Sequence, residues 1–197
     1  MNQALVARPA GPIRRPALLF LAAVIVLVVA VVPYAASAAP AGAADTIEAV
    51  FEGRPIDLSN GWGEAQACVV WNDASVVECF RTEEEMDKRI AELEGELVSK
   101  LPINAQAQCS GYMRLYKDSS YSGQVLYIRD RLQWINLSAY SFSNVTSSFK
   151  IGPCSTYLAD GDSGGGSWYP TSQSEAWDVA PSMASGWNDR ISSVYIQ

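Results

Sequence analysis

The sequence predicts an all-β fold: a compact β-sandwich of two repeats, preceded by a small β-hairpin and one helix. Three observations point there. First, two stretches 45 residues apart spell nearly the same thing, since Phe142-Ser143-Asn144-Val145-Thr146-Ser147-Ser148 returns as Trp187-Asn188-Asp189-Arg190-Ile191-Ser192-Ser193. The same spacing carries Cys109-Ser110-Gly111-Tyr112 onto Cys154-Ser155-Thr156-Tyr157, and self-similarity of this size marks two copies of one supersecondary unit. Second, Leu126-Tyr127-Ile128, Phe149-Lys150-Ile151 and Val194-Tyr195-Ile196 are short β-type runs separated by Gly, Ser, Asn and Asp, the texture of antiparallel strands and turns. Third, the chain ahead of Cys109 reads as strand, turn, strand and helix.

Residues 1–38 read as a secretory signal. Arg8, Arg14 and Arg15 form a basic flank, Ala17 to Val32 an apolar run, and Ala36-Ser37-Ala38 a small-residue cleavage pattern. An uncleaved anchor is the rival reading, but the run is short for the roughly 20 apolar residues a span needs. Cleavage places the mature protein outside the cell, free of the membrane and most simply as a monomer. It removes three of the 14 basic residues and none of the 21 acidic ones, moving the net charge from −7 to −10. A chain this acidic repels phosphate backbones, which argues against nucleic acid as a partner.

Residues 39–107 form an N-terminal segment, a propeptide or a subdomain, and open on an Ala-rich lead-in. Cys68-Val69-Val70-Trp71 and Val76-Val77-Glu78-Cys79-Phe80 flank Asn72-Asp73-Ala74-Ser75, a strand–turn–strand pattern. Pairing Val70 with Val77 sets Cys68 opposite Cys79, so a cross-strand disulfide is geometrically possible. Thr82 and Glu85 form a capping box, and Met86, Ile90, Leu93 and Leu97 recur on one helical face up to a stop at Pro102. In an exported chain the four cysteines read as two disulfides. Three connectivities are open; Cys109 with Cys154 is attractive because the two sit at equivalent points of the repeat.

Residues 108–197 are the repeat domain. What the repeat copies is aromatic, Asn/Asp and Ser, so it preserves oxygen ligands along with packing and suits a hard cation such as Ca²⁺. The first copy also contains Tyr116-Lys117-Asp118-Ser119-Ser120-Tyr121-Ser122-Gly123: an aromatic, four residues, an aromatic, any residue and glycine. In the second copy Ala159 and Gly164 stand where the aromatics would be, while Gly166 keeps the glycine. A tryptophan, Trp134 or Trp177, precedes the Asn/Asp–Ser stretch of each copy.

On these residues the domain resembles the βγ-crystallin Greek-key family. Within it, the layout is similar to secreted bacterial peptidase inhibitors of the metalloproteinase-inhibitor type, with Trp134-x-x-Leu137 leading into Phe142 and Ser147-Ser148. The resemblance implies paired Ca²⁺ sites where two stretches of the form Asn/Asp-Asn/Asp-x-x-Ser/Thr-Ser lie side by side. Asn188-Asp189-Arg190-Ile191-Ser192-Ser193 matches that form, and Ser143-Asn144-Val145-Thr146-Ser147-Ser148 matches except at its first position. The implied ligands are Asn188, Asp189 and Ser192 with Asn144 and Ser147. The same residue types also build tight turns without any ion.

The expected function is a secreted, non-enzymatic module that binds Ca²⁺ and inhibits an extracellular peptidase. The alternatives are an exported, Ca²⁺-stabilised structural or envelope protein, and a carbohydrate- or surface-binding module using Trp168, Tyr169 and Trp177. Gly161-Asp162-Ser163-Gly164-Gly165 spells the setting of a serine-protease nucleophile, but the chain has no histidine to take the proton from Ser163. A glycine-rich turn is the better reading. The lack of histidine also argues against imidazole-based zinc sites.

Overall fold

The computed structural model describes residues 47–71, 77–100 and 111–197. The signal segment 1–38, the hairpin turn at 72–75, the helix stop at Pro102 and Cys109 lie outside them.

The N-terminal region holds β1 (Glu48–Phe51), β2 (Arg54–Asp57), β3 (Ala67–Val70), β4 (Val77–Phe80) and α1 (Glu83–Lys100). The predicted hairpin is β3–β4, in the expected register: Val70 faces Val77 and Cys68 faces Cys79. Those two cysteines form a disulfide with Cα atoms 4.1 Å apart. At the start of α1, Thr82 Oγ1 accepts the Glu85 N–H at 3.1 Å, while the Glu85 carboxylate reaches back to the Arg81 N–H at 3.1 Å. The box thus closes one residue earlier than the sequence suggests. Met86 and Ile90 of the apolar stripe are buried, each adding roughly 1.5–3 kcal/mol of burial, and Leu93 is half-buried. Met86 and Ile90 share a cluster with Ala67 and Val69 of β3 and with Tyr116, Val125 and Tyr127 of the repeat domain.

The first repeat supplies β5 (Met113–Asp118), β6 (Ser122–Ile128), β7 (Trp134–Asn136) and β8 (Ser148–Ile151). The second supplies β9 (Thr156–Ala159), β10 (Val179–Ala180) and β11 (Ser193–Ile196). The repeats exchange strands: β10 pairs with β8 in the sheet of the first copy, and β7 pairs with β11 in the sheet of the second. Each sheet therefore needs the other copy, and this strand exchange defines the crystallin-like Greek-key sandwich expected from the sequence.

Sequence alone did not indicate how the N-terminal region joins it. β3 lies parallel to β6, with Ala67 opposite Val125 and Val70 opposite Ile128. The result is one eight-stranded sheet in the order β10-β8-β5-β6-β3-β4-β1-β2, facing the three-stranded β7-β11-β9. One core is shared: Leu58, Trp62, Cys68 and Val70 are buried with Leu115, Leu126, Tyr140 and Phe142. Trp62 stacks on Phe142 at 5.3 Å and donates its indole N–H to the Tyr140 carbonyl at 2.7 Å. No described helix is long and apolar enough to cross a membrane.

Candidate metal centre

The centre forms where the two copied stretches meet. Each begins with a sharp turn whose Asn or Asp takes left-handed backbone angles, with φ of 59° at Asn144 and 56° at Asp189. Asn and Asp tolerate that region better than other side-chain-bearing residues, so one residue type serves both turn and ligand chemistry. The turns interlock: the Asn144 N–H donates to the Ile191 carbonyl at 2.8 Å, and the Asp189 N–H to the Thr146 carbonyl at 3.1 Å. The serines that follow are fixed by the sandwich, the Ser147 N–H bonding the Tyr116 carbonyl at 2.9 Å and the Ser192 N–H the Ala159 carbonyl at 2.8 Å.

This interlock crosses the ligands over. Ser147 of the first stretch donates its Oγ hydrogen to Asp189 Oδ1 of the second at 3.2 Å. Ser192 of the second stretch donates to Asn144 Oδ1 of the first at 3.0 Å. Two half-sites result, each with the Asn/Asp of one copy and the serine of the other. Asn188 sits at the rim of the first, its amide donating to Asp189 Oδ2 at 2.7 Å.

The two half-sites differ in charge and shape. The Asp189–Ser147 half-site opens into a cavity of about 490 Å³ that Lys117, Asp118 and Ser119 of the folded hairpin also line, with Asn144 at its edge. At the Asn144–Ser192 half-site, the carbonyl of Asp160 lies 3.2 Å from Ser192 Oγ. There the Asp160 carboxylate pairs with Arg190 and accepts the Ser167 N–H at 2.6 Å. Asp118, Lys117, Asp160 and Arg190 were not among the residues picked out from the sequence. Their signal was available, because Asp118 follows the first hairpin aromatic by two positions and the equivalent hairpin point of the second copy is Gly161, next to Asp160.

That equivalence is fixed by the hairpin corners. The Tyr121 N–H donates to Ser148 Oγ at 3.1 Å, and Ser148 Oγ donates to the Asp118 carbonyl at 2.6 Å. In the second copy the Gly164 N–H donates to Ser193 Oγ at 3.0 Å, and Ser193 Oγ to the Gly161 carbonyl at 2.6 Å. Left-handed φ values repeat in step: 58°, 58° and 74° at Ser120, Tyr121 and Gly123, then 52°, 80° and 74° at Ser163, Gly164 and Gly166. Ser163 is thus a turn residue of the second corner. Its N–H donates to the Asn136 side-chain carbonyl at 2.7 Å, and the Asn136 amide lies 3.4 Å from its Oγ. The two tryptophans ahead of the stretches are not counterparts. Trp177 (φ 67°) takes the place of Leu132 (φ 63°), and Trp134 packs against Gly164 of the second corner.

The remaining candidates scatter. Cys154 is disulfide-bonded, and Cys109 lies outside the described residues. Trp168 and Trp177 are 40% and 63% exposed, whereas Tyr169 is buried, with its hydroxyl accepting the Ala184 N–H at 3.3 Å. Among the described residues no group of three or more His, Cys, Asp or Glu side chains gathers to hold a metal. A cation at the Asp189 half-site would therefore draw mainly on hydroxyl, amide and carbonyl oxygens. That donor set suits a hard cation held weakly.

No family model matches the chain, and no curated protein matches it. Solved structures similar to it include a beta gamma crystallin from Ciona intestinalis, at 21% identity over 44% of this chain and 100% of that one, with a TM-score of 0.38. A betagamma-crystallin domain from Flavobacterium johnsoniae is 21% identical over 43% of this chain and 92% of that one, with a TM-score of 0.34. One from Clostridium beijerinckii is 18% identical over 43% and 94%, with a TM-score of 0.36.

Proposed function

We propose that this chain is an exported, non-enzymatic crystallin-like module that binds one Ca²⁺ weakly at the Asp189–Ser147 half-site and is stabilised by it. The observation that carries the reading is the crossed pairing of Ser147 with Asp189 at the mouth of a cavity that Asp118 also lines. Asp189 would hold the ion as the charged ligand. Ser147 would turn a lone pair toward it, and Asn188 would turn its amide to present oxygen in place of nitrogen. Lys117 lines the same cavity and opposes the ion, which keeps the affinity in the range of extracellular modules, about 10⁻⁴–10⁻³ M. Because the fold is held by its own core, the ion raises stability without being required for folding.

With a dissociation constant of ~100 μM, ~1 mM Ca²⁺ adds about 1.4 kcal/mol by linkage. For a domain of this size that is roughly 3–6 °C in melting temperature. Asp189→Asn keeps a residue that tolerates the left-handed turn while removing the charge. It should lose most of the calorimetric Ca²⁺ signal and the thermal shift. An unchanged shift in that variant would move the ion elsewhere, and no heat or shift in the wild type at several millimolar Ca²⁺ would leave the two stretches as ordinary turns. The extracellular peptidase is proposed as a partner on the resemblance alone. Unchanged rates of metallo- and serine peptidases at equimolar secreted protein, with Ca²⁺ and with EDTA, would remove it.

A further inference from the structure

The Asn144–Ser192 half-site does not fit a second Ca²⁺. Its backbone frame repeats that of the first, yet the Asn144 side chain is neutral and the neighbouring carboxylate, Asp160, is already neutralised. Asp160 is 14% exposed, so its charge is largely removed from water and needs a partner. Arg190 supplies it. One guanidinium nitrogen pairs with Asp160 Oδ2, another donates to the Gly186 carbonyl at 2.8 Å, and the group lies 4.8 Å over the ring of Trp187. Three separate contacts thus hold the cation between the second hairpin and the turn that opens the second stretch. The equivalent residue of the first stretch is Val145, which has no charge to offer.

We infer that Arg190 is a tethered, permanent cation standing in for a metal at the second half-site. The protein accordingly takes a single Ca²⁺ and keeps half of its paired centre stabilised when Ca²⁺ is absent. A divalent ion at this half-site would have to compete with that fixed positive charge for the one carboxylate beside it. An arginine keeps its charge at any physiological pH and its planar group can satisfy a carboxylate and a carbonyl together. The half-site therefore cannot be emptied by calcium depletion. This inference rests on the Ca²⁺ reading of the Asp189 half-site, and its test separates the two.

The test uses the secreted protein and three substitutions, Arg190→Gln, Arg190→Lys and Asp189→Asn, with Ca²⁺ as the only added ion. Calorimetry of the wild type should give one Ca²⁺ per chain. Arg190→Gln removes the charge and should melt several degrees lower in EDTA, because Asp160 loses its partner. It should then recover part of that loss in millimolar Ca²⁺, now binding two ions. Arg190→Lys should stay at one. The decisive variant is Asp189→Asn with Arg190→Gln: it should regain a Ca²⁺-dependent thermal shift that Asp189→Asn alone lacks. Two ions in the wild type, or a double variant as indifferent to Ca²⁺ as Asp189→Asn, would overturn the inference while leaving the first site standing. A wild type that binds no Ca²⁺, beside an Arg190→Gln variant that binds one, would remove the first-site reading and keep this one.

Discussion

The two copies of the repeat share a backbone but fill it differently. In the first, the hairpin corner is packed by Tyr116 and Tyr121, whose rings meet edge to face at 5.7 Å, and Lys150 Nζ lies 4.5 Å over Tyr121. In the second, the corner residues are Ala159 and Gly164, and the space belongs to Trp134, reaching in from the other copy. A Cβ on Gly164 would lie 2.3 Å from the Trp134 ring. Trp168 closes the far side, donating its indole N–H to the Gly164 carbonyl at 2.8 Å. The outer strands diverge too. β6 is a full strand covered by β3, whereas its counterpart is reduced to isolated bridges to β9, Ala159 with Trp168 and Thr156 with Ser174. A β-sandwich corner thus requires aromatic volume without requiring it from a fixed position. The copy that kept its own aromatics is also the one onto which the N-terminal region and α1 are built.

The largest effect should come from taking that addition away. A chain beginning at residue 108 exposes the edge of β6, uncovers Tyr116, Val125 and Tyr127, and removes Trp62 and Val70 from the shared core. An uncovered strand edge invites pairing with other chains. This fragment should aggregate or melt without cooperativity in size-exclusion and circular-dichroism experiments. A monomer melting as sharply as the full chain would show that the copies stand alone.

Next in size is the contrast between the corner glycines. Gly164→Ala puts a Cβ into a rigid indole at a φ of 80°, and should cost roughly 3 kcal/mol. Gly123→Ala has a similar φ of 74°, but its nearest obstacle, 2.3 Å away, is an oxygen of the Asp118 side chain. That side chain can swing aside, so the cost falls to about 1–2 kcal/mol. Equal losses in urea denaturation would mean that Trp134 does not fill the second corner.

The corner serines should behave alike. Ser148 and Ser193 are both fully buried, each accepting one N–H and donating to one carbonyl. Ser148→Ala and Ser193→Ala should each cost about 1–3 kcal/mol, because the backbone groups left behind are buried and unpaired. A difference above about 1 kcal/mol between them would break the equivalence drawn from the hydrogen bonds.

The smallest effect is a pH dependence confined to the first copy. Burial, together with the bond from its hydroxyl to Glu83 at 2.8 Å, pushes the Tyr116 phenol well above its ordinary range. The folded state therefore holds a proton that the unfolded chain releases near pH ~10. Its contribution is complete below that pH and is lost as the pH rises through the folded value. Tyr116→Phe should flatten the alkaline fall in stability by up to about 1.4 kcal/mol per pH unit, measured by urea unfolding between about pH 9 and 11. Tyr127 and Tyr140 are raised by burial as well, so some slope should survive. At the equivalent corner position of the second copy, Ala159 has nothing to titrate.

Much of this architecture was legible in the residues. The repeat gave two copies, the hairpin register placed Cys68 against Cys79, and the spacing of Met86 and Ile90 marked the buried face of α1. Asp189, Asn144, Ser147 and Ser192 were singled out by the resemblance, and the two stretches that carry them do meet. β1 and β2 escaped because Glu48–Phe51 and Arg54–Asp57 are short, and Pro55 and the charged residues suit an exposed edge. Asp160 and Arg190 escaped because a lone charged residue in a loop carries no periodicity, and Lys117 and Asp118 because they read as the exposed end of β5.

What is local or repeated could be read from the residues alone: strand and helix periods, the capping residues and the two-copy plan. These depend on residues a few positions apart, or on one unit written twice. Which stretch meets which was set by packing in three dimensions. That packing laid β3 parallel to β6, exchanged β7 and β10 between the sheets, crossed Ser147 to Asp189, and put Arg190 of one half of the centre against Asp160. Such pairings are chosen by the summed burial of distant faces and by the partner each buried charge must find, and neither quantity is written in any one segment of the chain.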